Sequence, residues 1–300
     1  MDKNKKKITI INKILYITDL HIKIKNLGEI KELKHAINTA RNVSMIIIGG
    51  DVLNNRCINE SCYCEAEELI KVCSRVAMTY VLVGNHDYID NLQFLTTKHW
   101  MTHLKNWPNV VIVDKVTTIM CGFQITCVPY VPNGRLLEAL DSSITYWKDS
   151  HLIFAHQEIK GCNLGKTVSS EGDFWDPSFP TLISGHIHDE QKVNNNVIYP
   201  GATINQGPQN NQQKICFINA SFTSDGVFNY NIENSFFKTN KKTEVFVKTV
   251  NELYDINNRQ DLTNTIVIIK EYNSRKISEI RRSQIYNKII IRAHYVFFAD

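Results

Sequence analysis

Val81-Leu82-Val83-Gly84-Asn85-His86-Asp87 is a short apolar run that stops at a glycine and three side chains able to hold metals or protons. A β-branched run of this kind reads as a buried strand, and a glycine at its end lets the backbone turn sharply. Asn85, His86 and Asp87 are thereby presented at a strand's carboxyl tip, the edge at which ligands bind in open α/β sheets. The same design recurs at Tyr16-Ile17-Thr18-Asp19-Leu20-His21, Ile46-Ile47-Ile48-Gly49-Gly50-Asp51, Ile153-Phe154-Ala155-His156 and Leu182-Ile183-Ser184-Gly185-His186-Ile187-His188. Five strand ends therefore carry one chemistry.

Outward from these tips the chain alternates. Apolar residues at Ile30, Leu33, Ile37 and Ala40 predict a helix over 28–41, and Ala66, Leu69, Ile70, Cys73 and Val76 predict another over 60–77. With strands over 8–17, 44–48 and before Asn85, the order is strand, helix, strand, helix, strand, which predicts an α/β fold with parallel strands joined by right-handed crossovers. Further on, helices are expected over 91–104 and 135–146. Short strands are expected over 110–113, 116–120, 123–127, 151–155, 181–184, 191–193, 197–199 and 214–220, with a turn over 205–213. Pro129 and Pro132 bracket a rigid loop, and 161–180, rich in Gly, Ser, Asp and Pro, reads as a long loop of the kind that usually has a function. No internal repeat is found. Asn, Lys and Thr dominate between 230 and 243, which divides the chain into a domain over 1–235 and a small basic α/β appendage over 236–300. Elements of the appendage are expected over 245–253, 265–269, 278–286 and 288–293.

Three hundred residues with 43% apolar content can bury a large core and exclude global disorder. No run of eighteen apolar residues exists, and the four lysines between Met1 and Lys7 precede no signal-type apolar segment, so the expectation is a soluble intracellular protein, cytoplasmic or nucleoid-associated, neither secreted nor membrane-bound. Eight cysteines are scattered, and the group Cys57, Cys62, Cys64 and Cys73 lacks the paired C-x-x-C of a structural zinc site, so reduced thiols are expected. The net charge of +4 is uneven: residues from Lys238 onward carry +5 and the preceding 237 carry −1. A basic end on a neutral body points to a polyanionic partner or to a merely solvated basic surface.

Asp19, His21, Asp51, Asn85, His156, His186 and His188 form a mixed oxygen and nitrogen donor set without thiolates, suited to borderline divalent ions such as Mn, Fe or Zn. Seven protein ligands exceed what one ion takes. They suit two ions about 3.5 to 4 Å apart that share a bridging carboxylate and a bridging water or hydroxide. Two metals are what phosphate-ester hydrolysis needs, since one generates hydroxide at neutral pH and both neutralise charge on the phosphoryl oxygens. The leaving oxygen still requires a proton donor. His86, beside a ligand but not needed as one, is the candidate, with Asp87 expected to hold its ring in the useful tautomer. Taken singly, each motif has a bland reading: a D-x-H is common by chance, Gly-Asp is ordinary turn chemistry, and His186 with His188 could be a surface pair. It is their joint placement at strand ends that points to a site. His35, His99, His103, His151 and His294 lack partners in sequence and are expected to pack or face solvent.

The ordered set Asp19-Leu20-His21, Gly50-Asp51, Gly84-Asn85-His86-Asp87, His156 and Gly185-His186-Ile187-His188 resembles the signature of the calcineurin-like metallophosphoesterases, over residues 13–220. The resemblance implies a four-layer α/β/β/α sandwich with a dinuclear site, often loaded with manganese. It implies that Asp19, His21 and His188 hold one ion, that Asn85, His156 and His186 hold the other, and that Asp51 bridges. His86 falls on the family's proton-donating or transition-state-stabilising histidine. Within the family the chain is most similar to the SbcD-type nuclease subunit of DNA double-strand-break repair, phage and viral counterparts included. The residues that suggest it are Asn85-His86-Asp87, the run from Phe154 to Gly161, and Gly185-His186-Ile187-His188 leading to Ile198-Tyr199-Pro200-Gly201-Ala202. That similarity implies DNA as substrate, Mn-dependent exonuclease or endonuclease activity in recombination and repair, and a shortened DNA-capping domain in the basic end. It also implies an SMC-like ATPase partner, although the chain ends at Asp300 with little room for the usual partner-binding segment. A homodimer is left open. Asp51-Val52-Leu53-Asn54-Asn55-Arg56 and Asp87 depart from the Gly-Asp-x-x-Asp-Arg-Gly and Gly-Asn-His-Glu of serine/threonine protein phosphatases. A nucleotide or small-molecule phosphodiesterase stays open as the alternative, because the ligands do not encode substrate size. A non-catalytic scaffold is disfavoured, since His86 and Asp87 are not needed for metal binding.

Overall fold

Alternation along the first strand sets the layers. In β1 (Thr9–Ile17), Leu15 and Ile17 enter one core while Ile14 and Tyr16 enter another, and all four are buried. A strand buried on both faces must lie between two packed layers. The computed structural model describes residues 9–55, 59–90, 92–204, 212–239, 243–259, 262, 265–293 and 295–299.

After β1 come α1 (Leu27–Thr39), β2 (Met45–Ile48), α2 (Glu60–Val76), β3 (Met78–Leu82) and β4 (Val110–Val113). β1 to β4 pair in parallel, in chain order. α2 is capped by the Asn59 side chain, which accepts from Ser61 N at 2.8 Å, with Glu60 in its first turn and Arg75 in its last, as the helix dipole favours. Its buried Cys62, Ala66, Leu69, Ile70 and Cys73, with Ile30, Leu33 and Ile37 of α1, cover the outer face of this sheet.

The chain then builds a second sheet from β5 (Thr117–Met120), β6 (Gln124–Cys127), β7 (Leu152–His156), β10 (Thr181–Gly185), β11 (Gln191–Val193) and β12 (Val197–Tyr199), in the order β11-β12-β10-β7-β6-β5. Between β6 and β7 lies α3 (Leu136–Asp141), and between β7 and β10 a small hairpin of β8 (Asn163–Leu164) and β9 (Thr167–Val168). Ile125, Cys127, Leu152, Phe154 and Ile183 meet Ile14, Tyr16, Ile47 and Leu82 in the core between the sheets. On the far side Ile153, Ala155, Leu182 and Tyr199 pack under Leu136, Leu140, Trp147 and Trp175. The architecture is the expected four-layer α/β/β/α sandwich.

A long antiparallel pair, β13 (Gln212–Phe222) and β14 (Phe228–Lys238), extends the first sheet from β1. The remainder forms a separate three-stranded parallel sheet of β15 (Thr243–Val247), β16 (Thr265–Ile269) and β17 (Tyr295–Phe298), with α4 (Val250–Asn257), α5 (Ser274–Arg282) and α6 (Gln284–Arg292). It has its own core around Val247, Leu253, Val267, Ile285 and Ile289. No helix among the described residues is long and apolar enough to cross a membrane.

Some stretches depart from the sequence expectation. Over 91–104 the described residues hold no α-helix; only Trp100–Asn106 winds, as a 3-10 segment. Asp90 Oδ1 accepts from Leu92 N and Thr96 Oγ1 from Lys98 N, so local side chains take the backbone donors a helix would use. The helix expected over 135–146 stops at Asp141, where Ser142 and Ser143 turn their hydroxyls onto nearby backbone groups. β14 is a strand that the sequence pattern does not announce, and it runs past the 235/236 division to Lys238. Most of the turn expected over 205–213 lies outside the described residues.

Candidate metal centre

The strand tips are level because the register makes them so. Ile17 pairs with Ile48, Ile48 with Val81, and Gly185 with His156. The loops leaving these tips therefore open onto one edge. Asp19, His21, Asp51 and His186 all sit at positive φ, 53°, 43°, 51° and 79°, a region that non-glycine residues rarely occupy and that clusters at functional sites. Two glycines make the close approach feasible. A Cβ on Gly50, itself at φ 100°, would lie 2.5 Å from His156 Nδ1, and one on Gly84 would lie 2.2 Å from Asp51 Oδ1.

All seven expected ligands converge. Asp51 Oδ2 stands 3.3 Å from His156 Nε2, 3.7 Å from His21 Nε2 and 3.9 Å from His86 Nε2, so one oxygen faces three imidazoles. Asp51 Oδ1 accepts from His86 N at 2.9 Å. Asn85 Oδ1 is 3.1 Å from His156 Nε2 and 3.0 Å from His186 Nδ1. His21 Nε2 and His188 Nε2 face each other at 3.0 Å, with Asp19 Oδ1 at 3.9 Å and 3.8 Å from them. Asp19 is fixed by Thr18 Oγ1 and by the amide of His186, both donating to its carboxylate. His156 Nδ1 donates to Gly49 O at 2.7 Å, which turns Nε2 toward the site.

Donor atoms fall into three groups, each mutually within 4.8 Å: Asp19, His21 and His188; His21, Asp51 and His86; Asp51, His156 and His186. The first is the set Asp19, His21 and His188 that the resemblance implies for one ion; the third joins His156 and His186 of the other set to Asp51, which belongs to two groups. Burial drives His21 and His186 down to about 3, so both rings are neutral and offer lone pairs. Burial also opposes ionisation of Asp51 and His156, but their mutual contact prevails: Asp51 is held well below the usual carboxylate range and His156 is raised to about 9. Burial, with the Asp51 charge adding to it, raises Asp19. Imidazole nitrogens facing one another and two buried carboxylates, with no thiolate among them, fit hard-to-borderline divalent cations.

His86 is the one catalytic candidate on the open side, its side chain 41% exposed. Its Nδ1 lies 2.6 Å from Asn54 O, so Nδ1–H donates to a carbonyl and Nε2 is presented to the site. The structure corrects the role expected of Asp87. Its carboxylate accepts from Val52 N, Leu53 N, Gly84 N and Trp100 Nε1, and it reaches the backbone of the two ligand loops instead of the His86 ring. Burial, with the Asp51 charge adding to it, raises Asp87 to about 6. Asn54 performs the orienting task through its backbone, which no sequence motif reveals. Tyr130 is a further site residue that no motif names: its ring lies 5.9 Å from that of His186 and 6.3 Å from that of His156, and the only signal is its place between two prolines. Of the other histidines, His99 contacts Asp114 and His103 contacts Glu67, so these two have partners after all, away from the site. His151 sits among Phe123, Phe222 and Phe228, and His294 lies outside the described residues.

The chain is similar to two viral proteins. "Putative phosphoesterase 244L" of Invertebrate iridescent virus 6 is 43% identical over 197 residues, covering 64% of this chain and 70% of that protein. "Putative phosphoesterase 078R" of Invertebrate iridescent virus 3 is 38% identical over 225 residues, covering 71% of this chain and 65% of that protein, just under two thirds of its length. Among solved structures, Vps29 of Chaetomium thermophilum aligns at 10% identity with a TM-score of 0.31, over 76% of this chain and 97% of that one. Residues 12–190, which hold every candidate ligand, match the calcineurin-like phosphoesterase family, and the chain belongs to it.

Proposed function

We propose that this chain is a Mn²⁺-dependent phosphodiesterase that cuts DNA, as an exonuclease, an endonuclease or both. The observation that carries the hydrolytic reading is the pairing of a largely buried oxygen and nitrogen donor set with His86, whose Nε2 is presented beside Asp51 by the Asn54 carbonyl. Asp19, His21 and His188 would hold one cation, Asn85, His156 and His186 the other, with Asp51 between them. Two cations bound there would activate a water and neutralise charge on the phosphoryl oxygens. In its imidazolium form, with both ring nitrogens protonated, His86 would pass the Nε2 proton to the leaving oxygen while Nδ1–H stays on Asn54 O.

The DNA reading is supported by the position and charge of the C-terminal unit. α6 packs on the Ile24–Asn26 segment, and a cavity of about 280 Å³ lined by Lys23, Lys25, Asn54, Asn55, Ile290 and Ile291 lies between that unit and the loop that holds His86. A basic unit beside the catalytic histidine can follow a phosphate backbone without reading sequence. End-labelled duplex and single-stranded DNA should be shortened in Mn²⁺ and spared in EDTA. Intact DNA alongside hydrolysis of bis(p-nitrophenyl) phosphate would replace the nuclease reading with a nucleotide or small-diester phosphodiesterase.

A further inference from the structure

The loop between the two prolines is held more firmly than a connecting segment needs to be. Tyr130 N donates to Val83 O at 2.8 Å, which ties it to the strand that leads into Asn85. Val131 N donates to Gln157 Oε1, and Val131 O accepts from Gln157 Nε2 at 2.8 Å. Gln157, fully buried beside His156, also donates to Asp173 Oδ2 at 2.7 Å. Backbone on both sides of the loop is therefore anchored to the two tips that carry Asn85 and His156.

From this position the Tyr130 ring packs partly into the first core and lies beside His156 and His186. Its hydroxyl, by contrast, has no hydrogen-bond partner among the described residues. A phenylalanine would cover the two histidines equally well, so the phenol adds one thing: an O–H donor, carried by a ring that lies beside His156 and His186. It stands by the Asn85, His156 and His186 group, whereas His86 stands by His21, the two ring centroids 4.8 Å apart. The Tyr130 ring and the His86 ring thus neighbour different members of the donor set.

We propose that the Tyr130 hydroxyl donates a hydrogen bond to a non-bridging oxygen of the substrate's phosphoryl group, making Tyr130 a substrate-binding residue opposite the proton donor His86. The inference rests on the phosphoesterase reading of the site and not on DNA being the substrate. A preorganised neutral donor to an anionic oxygen is worth about tenfold in affinity or rate.

The test is Tyr130→Phe in the full-length chain loaded with Mn²⁺, using inorganic phosphate as the probe in calorimetry and bis(p-nitrophenyl) phosphate for kinetics. Phosphate should bind about tenfold more weakly and kcat/KM should fall by a similar factor, with metal stoichiometry and melting temperature unchanged. A further variant, Tyr130→Leu, should lose no more phosphate affinity than Tyr130→Phe. Phosphate affinity and kcat/KM within twofold of the parent, or metal lost from Tyr130→Phe, would overturn the assignment and leave the ring as a cover for the histidines. If DNA is spared while the aryl diester and phosphate still report the hydroxyl, the nuclease reading fails and this one stands.

Discussion

His86 is fixed by a backbone carbonyl and faces a carboxylate oxygen 3.9 Å away, which is compatible with two roles, proton donor or ligand. The roles separate in one variant. His86→Ala should retain both metals by elemental analysis and lose on the order of 10²–10⁴ in kcat, the usual worth of a positioned acid. Loss of a metal ion would instead assign His86 to the group it forms with His21 and Asp51. At this scale the sequence is informative where a motif names the atoms and silent where it does not. Asp19, His21, Asp51, Asn85, His156, His186 and His188 can be read because they stand together at five strand tips, although each alone has an ordinary use. Asp87 cannot, because adjacency to His86 says nothing of where a carboxylate points. Four donors from Val52, Leu53, Gly84 and Trp100 turn it away from its neighbour and onto the loops.

Elements are legible in proportion to how far their apolar residues keep a period. β2 and β7 are fully buried runs, β3 is buried toward its tip, and α2 carries a stripe that only a helix can bury on one face. β14 keeps a two-residue period at Phe228, Tyr230 and Ile232, but the Asn between them reads as a turn, and its pairing with β13 is supplied by tertiary structure. The segment 92–106 is held by specific polar contacts more than by periodicity, and Asp114 is their centre. This carboxylate, 5% exposed at the end of β4, accepts from His99 Nε2 at 3.1 Å and from Lys105. Burial pushes Asp114 up, yet the hydrogen bonds from His99 and Lys105 prevail and hold it below its ordinary range. A carboxylate depressed on folding stabilises fully above the unfolded value near 4 and progressively less as pH falls through the folded one. Asp114→Asn should therefore cost about 1–3 kcal/mol at pH 7 in denaturant unfolding, with the gap to the parent closing below about pH 4. No gap at pH 7, or one that persists in acid, would mean that the pair is not what holds this segment.

For the whole molecule, periodicity predicts an α/β chain, but the second sheet and the four layers come from family resemblance, since short strands over 110–220 do not say which sheet they join. Charge, unlike topology, can be counted directly. The +5 of the residues from Lys238 onward belongs largely to the unit whose α6 packs on Ile24–Asn26, and part of it is engaged internally: Arg281 lies over the Phe298 ring at 5.0 Å and Arg275 pairs with Glu279 at 3.5 Å. Arg282 and Lys288, on α5 and α6, are exposed, and neither forms an ion pair among the described residues. If DNA runs along this unit, each contact releases a condensed counterion, and log Kobs falls with log salt by about 0.9 per contact. The double substitution of Arg282→Glu and Lys288→Glu should weaken binding of duplexes of different sequence alike and flatten that slope by about two. Hydrolysis of bis(p-nitrophenyl) phosphate should be unchanged, because neither residue belongs to the donor set. An unaltered slope would place the DNA path on another face, and a loss of aryl-diester turnover would mean that the substitutions reach the catalytic centre through the packing of α6 on Ile24–Asn26.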